Sequence, residues 1–269
     1  MTPEFNLMGA IVGDTIGSVY EFNPTKGYDF NLFDSRMEYT DDTVMTIAVA
    51  DWLLHSPSLS HAALAECMRR WGRKYPRPMG AYGNLFNEWL QDESRGAYNS
   101  FGNGSAMRVS PVGFAFPTLE ETLRYAQISA EVTHNHPEGI KGAQAAAAAV
   151  FLARMKKPKD EIRMYVSHQF GYDLSRTCEE IRPGYRFEGG CRETVPQSLI
   201  AFFDSQNYED ALRLTISLGG DADTMGAITG AVAGAFYGDI PVQLREFAWK
   251  RLPADMQAIV EEFEARYVQ

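Results

Sequence analysis

Apolar side chains recur every three or four residues along most of this chain, which is the spacing of amphipathic helices. One such run follows Thr43, where Val44, Ile47, Ala48, Trp52 and Leu53 recur at helical spacing. Few stretches alternate apolar and polar residues, so strands are poorly supported. The pattern predicts an all-α fold, a compact multi-helix globule, with further helices over 61–74, 159–169, 193–205, 207–218, 225–237 and 253–267.

Several of these helices carry recognisable start signals. Ser60 is expected to cap the helix that begins at His61, and Thr118 with Glu121 forms a capping-box pattern. Pro137 opens an alanine-rich helix that ends before Lys156. Small alanine side chains let neighbouring helices approach closely, so this helix is expected in the core, together with Trp52, Trp71, Trp89 and Trp249.

Length and composition are those of an ordinary globular protein. The chain has 269 residues, 45% hydrophobic and 22% charged, and residues 1–269 are predicted to form a single domain. A net charge of −10 argues against a general nucleic-acid-binding surface, although a local basic pocket for one phosphate stays possible.

Cysteine content and hydropathy bear on location. Three cysteines without a C-x-x-C pair suit free thiols in a reducing compartment, so a cytoplasmic protein is expected. No signal-peptide pattern is found at the start of the chain. The longest apolar run, residues 143–153, is too short to cross a bilayer, so no membrane association is expected. A monomer is expected.

The four polar residues Thr40-Asp41-Asp42-Thr43 stand directly before a helix. One of them is explained as an N-cap, but a cap needs only one oxygen. Adjacent aspartates repel each other, and a bound divalent cation removes that repulsion. This first acidic cluster is therefore a candidate metal site.

A second acidic cluster repeats this chemistry. Gly219-Gly220 leads into Asp221, Asp223 and Thr224 before a helix of small residues. Both clusters offer carboxylate and hydroxyl oxygens, which select Mg²⁺, Mn²⁺ or Ca²⁺ over zinc. The four carboxylates suffice for two divalent ions. We therefore predict that the clusters meet in a two-metal site at helix N-termini.

Three further segments carry weaker signals. Asp14 and Glu21 lie seven positions apart, on one face if their helix continues, while Gly9, Gly13 and Gly17 fit a close-packing face. The glycine-rich segment 102–108 is either a plain turn or a phosphate cradle. Thr133-His134-Asn135-His136 suggests a ligand-contacting or structural histidine rather than a metal ligand, since the other donors are oxygens.

Taken in order, these five segments resemble the ADP-ribosylglycohydrolase family, which includes the dinitrogenase reductase-activating glycohydrolases and the ADP-ribosylarginine and ADP-ribosylserine hydrolases. The resemblance runs from Gly9 to Met225, nearly the whole chain. It implies an all-α fold and a centre of two divalent cations, Mg²⁺ or Mn²⁺. The implied metal ligands are Thr40, Asp41, Asp42, Asp221, Asp223 and Thr224.

The resemblance also implies the remaining site residues. Glu21 matches the acidic residue beside the scissile bond, and Asp41 and Asp42 are alternative catalytic groups. The residues expected to bind substrate, including the diphosphate-holding loop, are Gly102, Asn103, Gly104, Ser105, Met107 and His134. The expected reaction is hydrolysis of the glycosidic bond between ADP-ribose and an acceptor, an ADP-ribosylated protein or a small-molecule conjugate.

Two other functions and the identity of the acceptor stay open. A metal-dependent nucleotide phosphoesterase would use the same carboxylates, and a non-catalytic relative would only bind ADP-ribose. The complete acidic set argues against the second alternative. Residues 171–193 match no motif, and such loops surround the leaving group, so the acceptor linkage is undetermined, with arginine favoured.

Overall fold

The computed structural model describes residues 7–267, which fold into helices and connecting loops, with isolated bridges but no strand in that range. The all-α prediction is confirmed. The fifteen helices of this part of the chain are α1 (Met8–Gly17), α2 (Asp41–His55), α3 (His61–Lys74), α4 (Asn84–Gln91), α5 (Gly104–Met107), α6 (Ser110–Ala115), α7 (Leu119–Glu131), α8 (Pro137–Arg154), α9 (Lys159–Phe170), α10 (Cys178–Ile181), α11 (Cys191–Asp204), α12 (Tyr208–Ile216), α13 (Ala222–Tyr237), α14 (Val242–Trp249) and α15 (Ala254–Tyr267).

The capping residues predicted from the sequence do begin their helices. Ser60 accepts a hydrogen bond from the Ala63 amide (3.3 Å), and Thr118 accepts one from the Glu121 amide (3.2 Å). These side chains satisfy backbone N–H groups that have no partner within the helix. The starts of α3 and α7 therefore lie where the polar signals placed them.

Helices α1 and α13 form the centre of the fold and pack with their backbones in contact. A Cβ atom on Gly13 would lie 1.9 Å from the carbonyl oxygen of Gly226, and one on Gly9 would lie 2.4 Å from that of Gly230. The glycines of α1 are therefore a packing face, as expected. This close approach brings the end of α1 to the start of α13, where a Cβ on Gly17 would lie 2.2 Å from the Ala222 oxygen.

The rest of the core surrounds this pair. The alanine-rich α8 is buried along most of its length and packs against α7 and α13. Of the four tryptophans, Trp52, Trp71 and Trp89 are buried, and Trp249 is half-buried at the edge of the core. All three cysteines are buried free thiols. Within residues 7–267, no helix combines the length and apolarity that a membrane span requires.

One helix expectation is wrong. Helix α1 ends at Gly17, so Glu21 lies in the turn beyond it and does not share a helix face with Asp14. Glu21 instead lies near the start of the long connection between α1 and α2.

Replacement of Gly13 by alanine is expected to destabilise the fold by at least about 3 kcal/mol, because the new methyl group would overlap backbone atoms of α13 that cannot rotate away. Chemical denaturation would measure the loss. Gly184→Ala is the matched control, since a Cβ at Gly184 meets no atom within 4 Å. Equal stability of the two variants would contradict the close packing of α1 on α13.

Candidate active site

The two acidic clusters lie side by side at the N-termini of α2 and α13. Asp41 and Asp42 open α2, while Asp221 occupies the N-cap position of α13 without a side-chain capping bond and Asp223 lies in the first turn of α13. The Thr224 hydroxyl donates to Asp42 Oδ2 (3.3 Å) across 182 positions of sequence. Residues far apart in the chain therefore form one site.

Asp14 holds the first acidic cluster in place through hydrogen bonds. Its carboxylate accepts hydrogen bonds from the Thr40 amide (3.0 Å), the Thr40 hydroxyl (2.7 Å) and the Thr43 amide (3.1 Å), and the Thr43 hydroxyl donates to it as well. Burial raises the pKa of Asp14 to about 6 despite these donors. Asp14 thus attaches α1 to the start of α2 and fixes the first acidic cluster.

In the folded protein, the Glu21 carboxylate lies next to the carboxylates of the second acidic cluster. One carboxylate oxygen each from Glu21, Asp221 and Asp223 lie within 4.8 Å of one another. Burial, followed by the nearby charges of Asp223 and Asp14, raises the pKa of Glu21 to about 8. A carboxyl in such surroundings can hold or release a proton near neutral pH.

The charged forms of the other carboxyl groups in the site are also destabilised relative to their neutral forms. Burial raises the pKa of Asp41, Asp42 and Asp223 well above the ordinary value, and neighbouring carboxylates add to the effect. Burial likewise raises the pKa of Asp221 to about 6. Such crowding of buried acidic groups is costly unless a cation balances their charge.

The donor set fits a hard divalent cation. Asp42 Oδ1 is buried and has no hydrogen-bond partner, although Oδ2 of the same carboxylate lies near the Thr224 and Thr40 hydroxyls. An unpaired buried carboxylate oxygen is rare in a stable fold and is explained if it binds a ligand. The oxygens around it are the kind that Mg²⁺ and Mn²⁺ prefer.

A cavity of about 470 Å³ opens above the clusters. Most residues predicted for the site line it, namely Glu21, Asp41, Asp42, Gly102, Asn103, Gly104, Met107, His134, Asp221, Asp223 and Thr224. Thr40 and Ser105 lie behind this lining. The Thr40 hydroxyl is directed at Asp14, and the Ser105 hydroxyl donates to the Gly139 oxygen (2.7 Å). Their contact with metal or substrate stays a prediction.

The glycine-rich loop before α5 is attached to the second cluster. Gly102 pairs with Gly190 in an isolated antiparallel bridge, and the Asn103 amide donates to the Gly189 oxygen (2.8 Å). The Asn103 side chain donates to Asp221 Oδ2 (2.8 Å). The loop and the acidic cluster therefore keep a fixed relative position on one wall of the cavity.

His134 faces this loop from the side. Arg108 donates to the Thr133 hydroxyl (2.9 Å), which leaves the hydroxyl hydrogen for His134 Nδ1 (2.7 Å). Burial and the Arg108 charge hold the pKa of His134 well below its usual range, so the ring is neutral. This arrangement favours the tautomer with hydrogen on Nε2, the atom that lies 3.1 Å from a Cβ position on Gly104.

Sequence reasoning missed the aromatic and apolar walls of the cavity. Phe22, Tyr82, Leu85, Phe86 and Tyr98 line it. Phe22 is 73% exposed and stacks on Phe187, with 6.5 Å between ring centroids. Residues 171–193, which matched no motif, therefore reach the residue next to Glu21. Gly80 and Gly83 mark a loop in the sequence, but nothing near them indicates that residues 80–86 line the site.

The metal-free protein is expected to respond to pH with a definite sign. The folded carboxyls keep their protons up to about pH 6 at Asp14 and Asp221 and about pH 8 at Glu21, whereas the unfolded chain releases them near the ordinary values of 3.8 and 4.5. Between these pH limits the folded state binds more protons than the unfolded state. The free energy of unfolding of the metal-free protein therefore falls as pH rises. Bound cations remove this loss.

Thermal denaturation in chelator and in excess Mn²⁺ tests this expectation. At a fixed Mn²⁺ concentration about 100-fold above the Kd at neutral pH, binding contributes about 2.7 kcal/mol, or roughly 5–10 °C in a chain of this size. The gap between the two Tm curves should widen from about pH 5 to pH 8. Other titrating groups, such as His134, affect both curves alike. A constant gap, or none, would contradict the metal assignment.

Comparison with known proteins relates this site to a family. The family described as ADP-ribosylglycohydrolase matches residues 6–268. An ADP-ribosylarginine hydrolase, Tri1, of Pseudomonas putida is 28% identical and covers 91% of this chain and 74% of its own. The mouse ADP-ribosylhydrolase ARH3 is also 28% identical, over 86% of this chain and 82% of its own.

A solved structure shares the fold. A chain of an ADP-ribosylglycohydrolase-related protein complex superposes with a TM-score of 0.76 and covers 100% of both chains at 24% identity. An uncharacterized protein of Archaeoglobus fulgidus is 30% identical over 81% of this chain and 77% of its own.

Proposed function

The chain belongs to the ADP-ribosylglycohydrolase family and is a hydrolase acting on glycosyl bonds, and from this premise we propose that it releases ADP-ribose from ADP-ribosylated arginine side chains with the help of two divalent cations. The observation that carries the proposal is the convergence of Glu21, Asp221 and Asp223 with the unpaired Asp42 Oδ1 at the base of one cavity. The glycine-rich loop, which we propose holds the diphosphate, and the neutral His134 flank the same cavity.

The proposed metal ligands are the aspartates and threonines of the two clusters: Thr40, Asp41, Asp42, Asp221, Asp223 and Thr224. When bound, Mg²⁺ or Mn²⁺ supplies charge stabilisation and lowers the pKa of water. The carboxylate oxygens that line the cavity base suit ribose hydroxyls, while the backbone N–H groups of Gly104 and Ser105 and the Nε2–H of His134 suit the diphosphate. The substrate would thus be held at both ends.

The proposed role of Glu21 is proton transfer at the scissile bond. Its carboxyl is half-buried beside Asp221 and Asp223, and its burial and the neighbouring charges keep its pKa high. It would donate a proton to the acceptor atom as that atom leaves the ribose, or take one from the attacking water. The aromatic pair Phe22 and Phe187 lies beside it, where a planar guanidinium leaving group can stack.

A panel of defined conjugates tests the proposal. Arginine-, serine- and acetyl-linked ADP-ribose are incubated with the enzyme and either Mg²⁺ or Mn²⁺, and products are separated by chromatography. The expected result is free ADP-ribose, formed most rapidly from the arginine conjugate. AMP with a ribose phosphate would instead identify a phosphoesterase, and binding without any turnover would identify a non-catalytic relative.

The remaining proposals concern the setting of the enzyme. We propose that residues 1–269 form one domain and that the protein acts as a monomer. Three buried free thiols are compatible with the reducing cytoplasm.

A further inference from the structure

A strained turn between α3 and α4 forms one wall of the cavity. Within this 78–82 turn, Gly80 has φ of 78° and Ala81 has φ of 65°. An alanine in the left-handed region is unfavourable, and such residues persist only where surrounding structure enforces them. Consecutive positive φ values beside a proposed active site call for a functional explanation.

Three contacts hold this turn in place. Met79 pairs with Thr40 in an isolated parallel bridge, which ties the turn to the first acidic cluster. The Ala81 amide donates to the Pro78 oxygen (3.1 Å), and the Tyr82 hydroxyl donates to the Tyr75 oxygen (2.8 Å). The turn is therefore a fixed surface rather than a loose connection.

The Glu21 carboxylate rests against this surface at Gly80. A Cβ on Gly80 would lie 2.9 Å from Glu21 Oε2 and 3.8 Å from its Cδ. A methyl group there is too close to be accommodated without movement. Because the Glu21 carboxylate is the end of a flexible side chain, it would move before the turn does.

We propose that Gly80 is a positioning residue that sets the location of the Glu21 carboxylate relative to Asp221 and Asp223, an inference that rests on the proposed role of Glu21 in catalysis. The absence of a side chain at Gly80 lets the carboxylate lie against the backbone of the turn. The turn thereby fixes the distance between the first acidic cluster, to which Met79 is bound, and Glu21.

Gly80→Ala is the test variant, with Gly171→Ala as its control. Gly171 has φ of 67°, and a Cβ there meets no atom within 4 Å. Gly171→Ala therefore introduces the same left-handed alanine without touching Glu21. We expect both variants to lower Tm by similar amounts. Only Gly80→Ala should lower kcat for ADP-ribose release, by about tenfold or more, with the Kd for ADP-ribose nearly unchanged.

A double-mutant cycle separates positioning from general damage. If Gly80 acts through Glu21, adding Gly80→Ala to Glu21→Gln should change the residual rate by less than about twofold. Wild-type turnover in Gly80→Ala, or an equal fractional loss in both backgrounds, would overturn the inference.

Crystal structures of the wild type and Gly80→Ala keep this test independent of the substrate. If wild-type enzyme releases ADP-ribose from no conjugate, the proposed function fails, but the position of the Glu21 carboxylate can still be compared. Displacement by about 0.5 Å or more supports the inference. An unmoved carboxylate overturns it, whatever the activity.

Discussion

Asp223→Asn is expected to reduce turnover by about 10³-fold or more while the fold survives, and Asp41→Asn should behave alike. Each substitution removes a charged oxygen ligand from the proposed metal centre without changing side-chain volume. Since burial and neighbouring carboxylates raise the pKa of both groups, the metal-free variants should be at least as stable as the metal-free wild type.

Turnover assays, calorimetric titration with Mn²⁺ and denaturation in chelator measure these effects. Asp210→Asn is the matched control, because Asp210 also lies in the first turn of a helix but faces Tyr28 and Gln206, away from the cavity. It should retain full activity. Unchanged metal binding in both Asp223→Asn and Asp41→Asn would rule out the assignment of the clusters as metal ligands.

Glu21→Gln is expected to lower kcat by about 10²–10⁴-fold and to leave the Kd for ADP-ribose within a few-fold of wild type. The amide keeps the shape of the side chain but cannot exchange a proton with the acceptor. Loss in kcat with little change in binding is the signature of a group that acts only in the transition state.

The control for Glu21→Gln is Glu38→Gln, an exposed glutamate in the same connection between α1 and α2. Its turnover should equal that of the wild type. Near wild-type rates in Glu21→Gln would exclude Glu21 as a catalytic residue and transfer the role to Asp41 or Asp42, the alternatives raised by the sequence.

The fold class could be predicted from the sequence because the signals are local. Apolar periodicity and the caps at Ser60 and Thr118 depend on residues within one or two turns, and they located α3 and α7 correctly. Short helices such as α5 and α10, of four residues each, were missed because they complete barely one turn and show no period.

The site could be predicted only in part, since its geometry depends on distant contacts. The sequence spacing places Asp14 on one helix face with Glu21, but its hydrogen-bond partners Thr40 and Thr43 lie 26 and 29 positions away, and these bonds make Asp14 a support for the start of α2. The proximity of the clusters depends on the backbone contact between α1 and α13. Glycine spacing indicated a packing face without identifying its partner.

The cavity wall beside Glu21 could not be predicted either, because it also depends on contacts between residues far apart in the sequence. Lys26 joins its own loop to two other segments by donating to the backbone oxygens of Arg182 (2.9 Å), Tyr185 (2.7 Å) and Leu218. These contacts bring 171–193 toward the cavity mouth. No local pattern marks them, since a lone exposed lysine in a loop resembles any other surface charge.

The most direct test of the central claim is metal-dependent release of ADP-ribose by chelator-treated enzyme. ADP-ribosylated arginine peptide is incubated with the enzyme in chelator and again after Mg²⁺ or Mn²⁺ is restored, and the products are identified by mass spectrometry. We predict intact ADP-ribose and unmodified arginine peptide only when the cation is present. Cleavage in chelator at the full rate, or AMP as the released product, would contradict a metal-dependent site that acts on the glycosidic bond.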